Sequence, residues 1–405
     1  MNILFLTIGR IDDVDEASIY LDLLRHFRDN GHSVYCVSVS ERRNKRPTTY
    51  TREKGIDVLR VRVGNIKNCN IIEKGISTVL LEAQYKSAVR KYMSDVKFDL
   101  VLYSTPPITL AGVIQYVKKR DNARTYLMLK DIFPQNAVDI GMMSKSGLSG
   151  ILYKYFRNKE KKLYALSDTI GCMSEANCEY VLKHNPELSP DKVEICPNAT
   201  VIRDMTVTAE EREAIRKKYG IPLDKLVFVY GGNLGRPQGI PFLIDCLRAE
   251  KDNSDVHFLI VGDGTEYGKL DAFVSGEDAS NVSLMKKLPR DDYNKMVAAC
   301  DVGMIFLDHR FTIPNFPSRL LGYMQAGLPV LACTDPNTDI GKVITDGGFG
   351  WWCESNSVAD FSEKIARIKS ADLSAMHNKA VAYLTENYSV DNAYGAIVNS
   401  LRNGG

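Results

Sequence analysis

The stretch Phe311–Asp335, FTIPNFPSRLLGYMQAGLPVLACTD, decides the fold class. A polar loop with two prolines leads into an amphipathic helix that begins at about Ser318. The helix ends at Gly327, and an apolar strand follows from Pro329 to Cys333. A helix that begins at the edge of a sheet has free backbone N–H groups in its first turn, and these can hold a phosphate. We therefore expect Ser318 and Arg319 to lie beside an anionic ligand.

Strands and helices alternate along most of the chain. The predicted strands are Asn2–Ile8, Ser33–Val39, Ile56–Val63, Phe98–Tyr103, Thr125–Leu129, Thr169–Met173, Leu226–Tyr230, His257–Val261, Val282–Met285 and Val302–Leu307. The main predicted helices cover about 16–30, 72–94, 108–120, 145–166, 290–300 and 389–402, with another from about 239. Most strands are continuously apolar, which is typical of a parallel sheet covered on both faces.

The length of 405 residues favours two domains rather than one core. The pattern breaks near Cys196, so we predict a first Rossmann-like domain over 1–202 and a second over 203–387. The segment 388–405 could pack back on the first domain. Because ligands of doubly wound sheets bind at the carboxyl ends of the strands, two facing sheets predict a cleft enzyme. No G-x-G-x-x-G follows the first strand, so no dinucleotide cofactor is expected.

Composition indicates a globular protein, with 44% apolar and 25% charged residues. No apolar run is long enough to span a bilayer, and the start MNILFLTIGRIDD reads as a strand rather than a signal peptide. Nine scattered cysteines without a C-x-x-C pattern favour reduced thiols in the cytosol. We expect a cytoplasmic protein that could be peripheral on the inner face of the cell membrane.

Charge differs between the two halves of the chain. Residues 1–200 contain 30 Lys and Arg against 23 Asp and Glu, whereas residues 201–405 contain 22 against 27. A basic first half in a nearly neutral protein favours a local contact with an anion over general nucleic-acid binding. Chance variation is the alternative explanation.

No residue pattern predicts a metal site. The six histidines have no ligand spacing, and Asp13-Val14-Asp15, although formally a D-x-D motif, lies at the predicted start of the first helix. Acids at that position are favoured by the helix dipole. We therefore expect no metal and no cofactor.

Several motifs together resemble the retaining GT-B glycosyltransferases of family 4, in the branch of capsule and O-antigen synthesis that includes N-acetyl-L-fucosamine transferases. The motifs are Tyr230–Gly235 with Gln238-Gly239, Val261–Gly264, Pro317–Val330 and, in the first half, Leu129–Pro134. The resemblance implies an α/β protein of GT-B architecture, with two Rossmann-like doubly wound domains facing across a cleft. It also implies sugar transfer, with retention of configuration, from a UDP-, GDP- or dTDP-sugar to a lipid-linked (polyprenyl-diphosphate) or oligosaccharide acceptor of bacterial surface polysaccharide.

The chain departs from the pattern of that family at four positions. Asn233 and Gln238 stand where many members have the arginine and lysine that hold the donor diphosphate. The paired glutamates of the family fall on Pro314 and Gly322. Positive charge for the diphosphate must then come from elsewhere, and Arg236 and Arg319, with Arg310 behind them, are the candidates.

The predicted donor site combines loops that follow several strands of the second domain. Its residues are Gly232, Asn233, Gly235, Arg236, Asp263, Thr312, Ile313, Asn315, Phe316, Pro317, Ser318, Arg319 and Leu320, and Lys286, Lys287 and Leu288 are predicted to lie near the nucleobase. The alternatives are structural: a tight turn at Asn233 and Gly235, and a helix cap with a surface ion pair at Ser318 and Arg319.

Asp131 is the candidate catalytic residue. It follows a buried strand of the first domain, where a carboxylate could deprotonate or orient an acceptor hydroxyl. The alternative is an N-cap of the following turn.

The segment 145–166 predicts a basic amphipathic helix. Its apolar face contains Leu148, Ile151, Leu152, Tyr155, Phe156 and Leu163. Such a helix can lie on an anionic membrane, or it can pack on its own sheet with a solvated basic face.

Two other functions compete with sugar transfer. One is a nucleotide-sugar epimerase of the same fold, and the other is an inactive donor-binding subunit, which the missing glutamates would favour.

Overall fold

The computed structural model describes residues 1–66, 69–277 and 279–403. The chain divides into two compact units. Unit 1 consists of Met1–Thr200 together with the C-terminal segment from Val390, and unit 2 consists of Val201–Ser389. Each unit is an α/β domain with its own sheet.

The sheet of unit 1 is parallel except at one edge. Its strands are β1 (Asn2–Leu6), β2 (Ser33–Glu41), β3 (Thr49–Glu53), β4 (Ile56–Val63), β5 (Leu100–Ser104), β6 (Arg124–Leu129), β7 (Thr169–Cys172) and β8 (Val193–Ile195). They are arranged in the order β3-β4-β2-β1-β5-β6-β7-β8, and only β3 is antiparallel to its neighbour. The parallel strands place their C-terminal ends along one edge, called the carboxyl edge below, where ligands of such sheets bind.

The first six helices belong to unit 1. They are α1 (Ile19–Asp29), α2 (Ile71–Tyr92), α3 (Ala111–Asp121), α4 (Gln135–Asp139), α5 (Gly147–Leu166) and α6 (Glu175–His184). Helix α3 packs against both α2 and α5, so these three helices form one layer over the sheet.

Unit 2 repeats the same plan with a smaller sheet. Its strands are β9 (Leu226–Asn233), β10 (Val256–Asp263), β11 (Val282–Met285), β12 (Val302–Phe306), β13 (Val330–Thr334) and β14 (Gly350–Glu354). All their pairings are parallel, in the order β11-β10-β9-β12-β13-β14. The helices are α7 (Ala209–Tyr219), α8 (Ile240–Ala249), α9 (Tyr267–Gly276), α10 (Arg290–Ala298), α11 (Arg319–Gln325), α12 (Ile340–Asp346), α13 (Val358–Ile368) and α14 (Leu373–Asn387).

The last helix, α15 (Val390–Asn403), returns to unit 1 and packs on α1. The Tyr394 ring lies 4.9 Å from the rings of His26 and Phe27, and its hydroxyl is 3.1 Å from Nε2 of His32. The backbone N–H of Val390 donates to the carbonyl of Thr200 at 3.0 Å. The chain therefore leaves unit 1 and re-enters it at adjacent points.

The prediction for Asp13 and Asp15 is wrong. Ser18 is the N-cap of α1, with its hydroxyl accepting the N–H of Leu21 at 3.0 Å, so the helix begins only at Ile19. Both acids lie in the loop before it and form ion pairs with Lys54. They stabilise a surface loop and do not act on the helix dipole.

All nine cysteines are thiols outside disulfides, and most of them are buried. The described helices include none that is both long and apolar enough to cross a membrane.

Candidate functional site

The carboxyl edge of unit 2 brings together the end of β9 and the start of α11. The Tyr230 hydroxyl donates to the Asn233 carbonyl at 2.9 Å and so closes the turn at the end of β9. At Gly231 a Cβ would lie 1.7 Å from the Tyr293 hydroxyl, so only glycine fits there. The N–H of Gly231 donates to the hydroxyl of Tyr323 at 3.1 Å. These contacts fix the strand end against α10 and α11.

Arg319 lies against this strand end. Its guanidinium carbon is 4.5 Å from the centre of the Tyr230 ring and 3.7 Å from where a Cβ of Gly232 would stand. Gly232 has φ 123°, which a side chain would strain. The absent side chain therefore leaves room next to the cation.

Arg319 remains charged although it pairs with no carboxylate among the described residues. Burial works to lower its pKa, but the neighbouring oxygens of Tyr230 and Tyr323 outweigh that effect, so the pKa is raised and the group stays charged. Its Nη1 atom is buried and has no hydrogen-bond acceptor among the described residues. Arg310, in contrast, is paired with Asp308 at 2.7 Å. A half-buried cation with a buried nitrogen that lacks an acceptor among the described residues is the kind of group that binds an anion.

Ser318 is the N-cap of α11, but its side chain makes no capping hydrogen bond and is exposed. The structural alternative of a helix cap with a surface ion pair therefore does not describe Ser318 and Arg319. Pro317 is half-buried and Leu320 is fully buried, so Leu320 packs α11 on the sheet.

The loop after β9 is braced by Gln238. The Gln238 side-chain oxygen accepts the Nδ2 of Asn233 at 3.1 Å and the N–H of Gly235 at 3.2 Å. Arg236 is largely exposed, with Nε 3.9 Å from a carboxylate oxygen of Glu266. Part of its charge is thus already compensated, which leaves Arg319 as the stronger anion ligand.

Three further predicted residues are solvent-exposed: Asp263, Lys286 and Lys287. Asp263, at the end of β10 beside Asn233, accepts the N–H of Gly264 at 2.9 Å. Lys286 lies over the Tyr267 ring at 3.2 Å, Lys287 is exposed, and Leu288 is half-buried. This places a positive, partly aromatic surface after β11.

The side chains of the 311–317 loop divide into two groups. Ile313 and Phe316 are buried within unit 2, and Phe316 packs against Tyr388 with ring centres 5.9 Å apart. Thr312 is exposed, and the Nδ2 of Asn315 is buried without a hydrogen-bond acceptor in the described part of the chain. Contact of this loop with a ligand would therefore involve its backbone, Thr312 and Asn315.

Sequence reasoning missed Asp335, which follows β13. Its Oδ1 accepts the N–H groups of Asn337 and Thr338 at 2.9 and 3.2 Å. Its Oδ2 is buried and has no partner among the described residues. Burial raises the pKa of this carboxyl to about 6. Its signal in the sequence was an acid directly after an apolar strand, as for Asp131.

Asp131 lies at the carboxyl edge of unit 1, after β6. Its Oδ1 accepts Nδ2 of Asn136 at 2.7 Å, and the Thr105 hydroxyl donates to its carbonyl at 2.9 Å. The side chain is half-buried, and burial raises its pKa to about 6. Helix α4 has Pro134 at its N-cap, so Asp131 does not cap it.

A cavity of about 330 Å³ opens at the same edge of unit 1, beside the loops that follow β1 and β2. Three arginines and two acids contribute to its wall: Arg10, Arg46, Arg60, Asp12 and Glu53. Its size and its mixture of charged and apolar groups suit a polar ligand of modest size. The described residues contain no group of three or more His, Cys, Asp or Glu that could hold a metal ion.

Comparison with known proteins identifies the fold. The fold of both units is that of GT-B glycosyltransferases, whose solved structures superpose over nearly the whole chain. The complex of Anabaena Alr3699/HepE with UDP, for example, gives a TM-score of 0.69 over 100% of both chains at 16% identity. Within unit 2, residues 211–385 match the family "Glycosyl transferases group 1".

Two curated relatives match most of the chain. The "Probable glycosyltransferase WbjE" of Pseudomonas aeruginosa is 26% identical over 293 residues, covering 72% of this chain and 71% of the relative. The "Putative colanic acid biosynthesis glycosyl transferase WcaI" of Escherichia coli (strain K12) is 22% identical over 312 residues, covering 76% and 74%.

Proposed function

We propose that this protein is a retaining glycosyltransferase that moves a sugar from a nucleoside-diphosphate-sugar to a lipid-linked or oligosaccharide acceptor of bacterial surface polysaccharide. The observation that carries the proposal is Arg319, a charged side chain with a buried nitrogen that lacks an acceptor, at the carboxyl edge of a group 1 glycosyltransferase domain. The names of WbjE and WcaI and the UDP bound to HepE support the reaction class and the donor class.

In unit 2, Arg319 would bind the donor diphosphate through charge-assisted hydrogen bonds. Such a bond contributes about 1.5–3 kcal/mol, so one arginine with nearby backbone N–H groups gives useful affinity. Gly232 would allow the phosphate to approach the backbone. The exposed side chains of Asn233, Arg236 and Asp263 and the region Lys286–Leu288 remain candidates for the sugar and the nucleobase.

In unit 1, Asp131 would orient the acceptor hydroxyl and receive its proton. With a pKa of about 6, the carboxyl is mostly ionised at neutral pH but is more basic than an ordinary aspartate. A base of this strength is matched to proton transfer near pH 7. No metal or cofactor is part of the proposal.

A donor panel tests the proposal. The protein is incubated with UDP-, GDP- and dTDP-sugars, with and without polyprenyl-diphosphate saccharides, and the products are separated by chromatography. We expect release of one nucleoside diphosphate, increased by acceptor and reduced in Arg319→Ala. An isomerised sugar would instead identify an epimerase, and binding without any product would identify an inactive subunit.

A further inference from the structure

Exposed apolar side chains are concentrated in one part of unit 1. Among the described residues, twelve large apolar side chains are exposed, and eight of them lie on α2, on α5 or just before α5. The eight are Ile76, Val79, Leu80, Met142, Leu148, Ile151, Leu152 and Tyr155. Leu148 is 87% exposed and Val79 is 66% exposed. The structure therefore places most of the apolar face predicted for 145–166 in solvent, and only Leu163 of that face is fully buried.

The exposed groups form a stripe on each helix. On α5 they follow the spacing i, i+3, i+4, i+7 from Leu148, and on α2 they follow i, i+3, i+4 from Ile76. Residues at this spacing lie on one face of a helix. A folded unit normally buries such a stripe, so two unburied stripes indicate a surface that binds something else.

Both stripes lie on helix segments that extend beyond the start of α3. The N–H of Gly112 in the first turn of α3 donates to the carboxylate of Glu82, so the part of α2 before Glu82 lies beyond the start of α3. Helix α5 has 20 residues against 11 in α3, and of its first ten residues only Gly150 is buried. The overhangs are about 15 Å long, from the rise of 1.5 Å per residue.

The two overhangs point the same way. Helices α2, α3 and α5 each connect parallel strands, so all three begin at the carboxyl edge of the sheet. Since α3 lies between α2 and α5, the two stripes are about 20 Å apart at usual helix spacings. They lie at the same edge as Asp131, and Phe156 of α5 packs on Phe133 with ring centres 5.0 Å apart.

Positive charge surrounds the stripe on α5. The segment 145–166 contains five lysines, one arginine and a single acid, Glu160. Glu160 is buried, accepts the Tyr164 hydroxyl at 2.8 Å and pairs with Arg157, so it compensates the arginine and none of the exposed lysines Lys154 and Lys162. Lys154 and Lys162 are exposed, and neither forms an ion pair within the described residues. An anionic partner would pair with the ammonium groups of both lysines.

We propose that the overhanging halves of α2 and α5 form one docking surface for an anionic lipid bilayer. The inference deepens the proposed function and rests on it in one respect: docking would place the carboxyl edge of unit 1 where a lipid-linked acceptor is found. Apolar stripes bordered by lysines are the pattern of helices that lie in a membrane interface. A second copy is a poorer partner, because a two-fold contact would face the same lysines towards each other.

Vesicle flotation tests the apolar part of the surface. The full chain is mixed with phosphatidylcholine vesicles that contain or lack phosphatidylglycerol, and the bound fraction is measured. We expect binding to the anionic vesicles, reduced about tenfold in Val79→Ser/Leu80→Ser and in Ile151→Ser/Leu152→Ser. The control is Ile195→Ser/Leu223→Ser, whose side chains are 50% and 49% exposed outside the surface.

The charge is tested by Lys154→Gln/Lys162→Gln, which should remove most of the preference for anionic vesicles. The matched control is Lys119→Gln/Lys183→Gln, in the last turns of α3 and α6. Absence of vesicle binding would overturn the proposal, as would equal binding by the α2 variant and the wild type. A dimer in light scattering that dissociates in the apolar variants would identify a second copy as the occupant instead. Hydrolysis of a soluble nucleotide-sugar by the wild type is measured in parallel. Absence of hydrolysis would contradict the proposed function, whereas vesicle binding does not depend on this activity.

Discussion

Asp131 in unit 1 and Asp335 in unit 2 occupy equivalent places and have different surroundings. Each follows an apolar parallel strand, and burial raises the pKa of each to about 6. Asp131 is half-buried and bonds to a side chain, Asn136, whereas Asp335 is fully buried and caps the N–H groups of its own turn. A raised pKa alone therefore does not identify a catalytic aspartate, because only Asp131 of these two residues is accessible to solvent.

The largest expected effect is on turnover in Asp131→Asn. If Asp131 receives the acceptor proton, its loss should lower kcat about 100-fold or more, with the Kd for nucleoside diphosphate unchanged. In the wild type kcat should fall as the pH drops below about 6, because Asp131 becomes protonated. Asp335→Asn is the matched control and should retain both turnover and this pH profile. Equal loss of turnover in the two variants would contradict the distinction between them.

The next effect concerns donor affinity in Arg319→Ala. Loss of one or two charge-assisted hydrogen bonds should weaken nucleoside diphosphate binding about 30- to 100-fold, measured by isothermal titration calorimetry. Arg310→Ala is the control, because Arg310 already pairs with Asp308. If both variants bind nucleoside diphosphate like the wild type, the diphosphate does not contact Arg319.

The stability of Asp335→Asn relative to the wild type should depend on pH. In the wild type the folded pKa, about 6, exceeds the ordinary value of 3.8, so the stabilisation is complete below pH 3.8 and is lost as the pH rises through about 6. The asparagine variant cannot ionise and keeps its Oδ1 as an acceptor. Its free energy of unfolding should therefore increase relative to the wild type by about 2–3 kcal/mol between pH 4 and pH 7.

Denaturant titrations at both pH values measure this difference. Asp335→Ala, which also lacks the Oδ1 acceptor, should be destabilised at both pH values. Asp131→Asn should gain stability at pH 7 for the same reason as Asp335→Asn, so that only turnover separates the two aspartates. A constant difference between Asp335→Asn and the wild type across the pH range would refute the assigned ionisation.

The smallest effect is expected for Gly322→Glu, which restores one of the family's glutamates at the carboxyl edge of unit 2. Gly322 is exposed within α11, and a Cβ there meets nothing within 4 Å. The substitution should raise the free energy of unfolding by up to about 1 kcal/mol through helix propensity. If Arg319 supplies the needed charge, the Kd for nucleoside diphosphate should change less than about threefold. Gly268→Ala, also in open space, is the control for helix propensity.

The alternation of apolar strands and helices predicted the fold because burial on both faces of a parallel sheet requires such strands. Val282–Met285 and Ile56–Val63 were predicted with the bounds found in the structure. The prediction omitted β3, β8 and β14, which are edge strands. Edge strands bury little, and the sequence of β3, TYTRE, has no apolar run to mark it.

The site was predictable only in part. The position of Arg319 at the start of α11 followed from the sequence, and its contact with an anion stays a prediction. The contact of Arg319 with Tyr230 did not follow from the sequence, since this contact joins residues 89 positions apart. The exposure of the α2 and α5 stripes could not be foreseen either, because the same stripe in a sequence suits a core and a surface equally.

The position of α15 has a practical consequence for dissecting the molecule. Unit 2 is inserted, as one continuous segment, between two parts of unit 1 whose junctions are joined by the Val390–Thr200 hydrogen bond. A fragment covering 201–389 can be expressed from a single reading frame, and its ends would need no long linker if they were fused or cyclised. Removal of the last sixteen residues, by contrast, would delete Tyr394 and expose its ring partners His26 and Phe27 in the opposite half of the sequence.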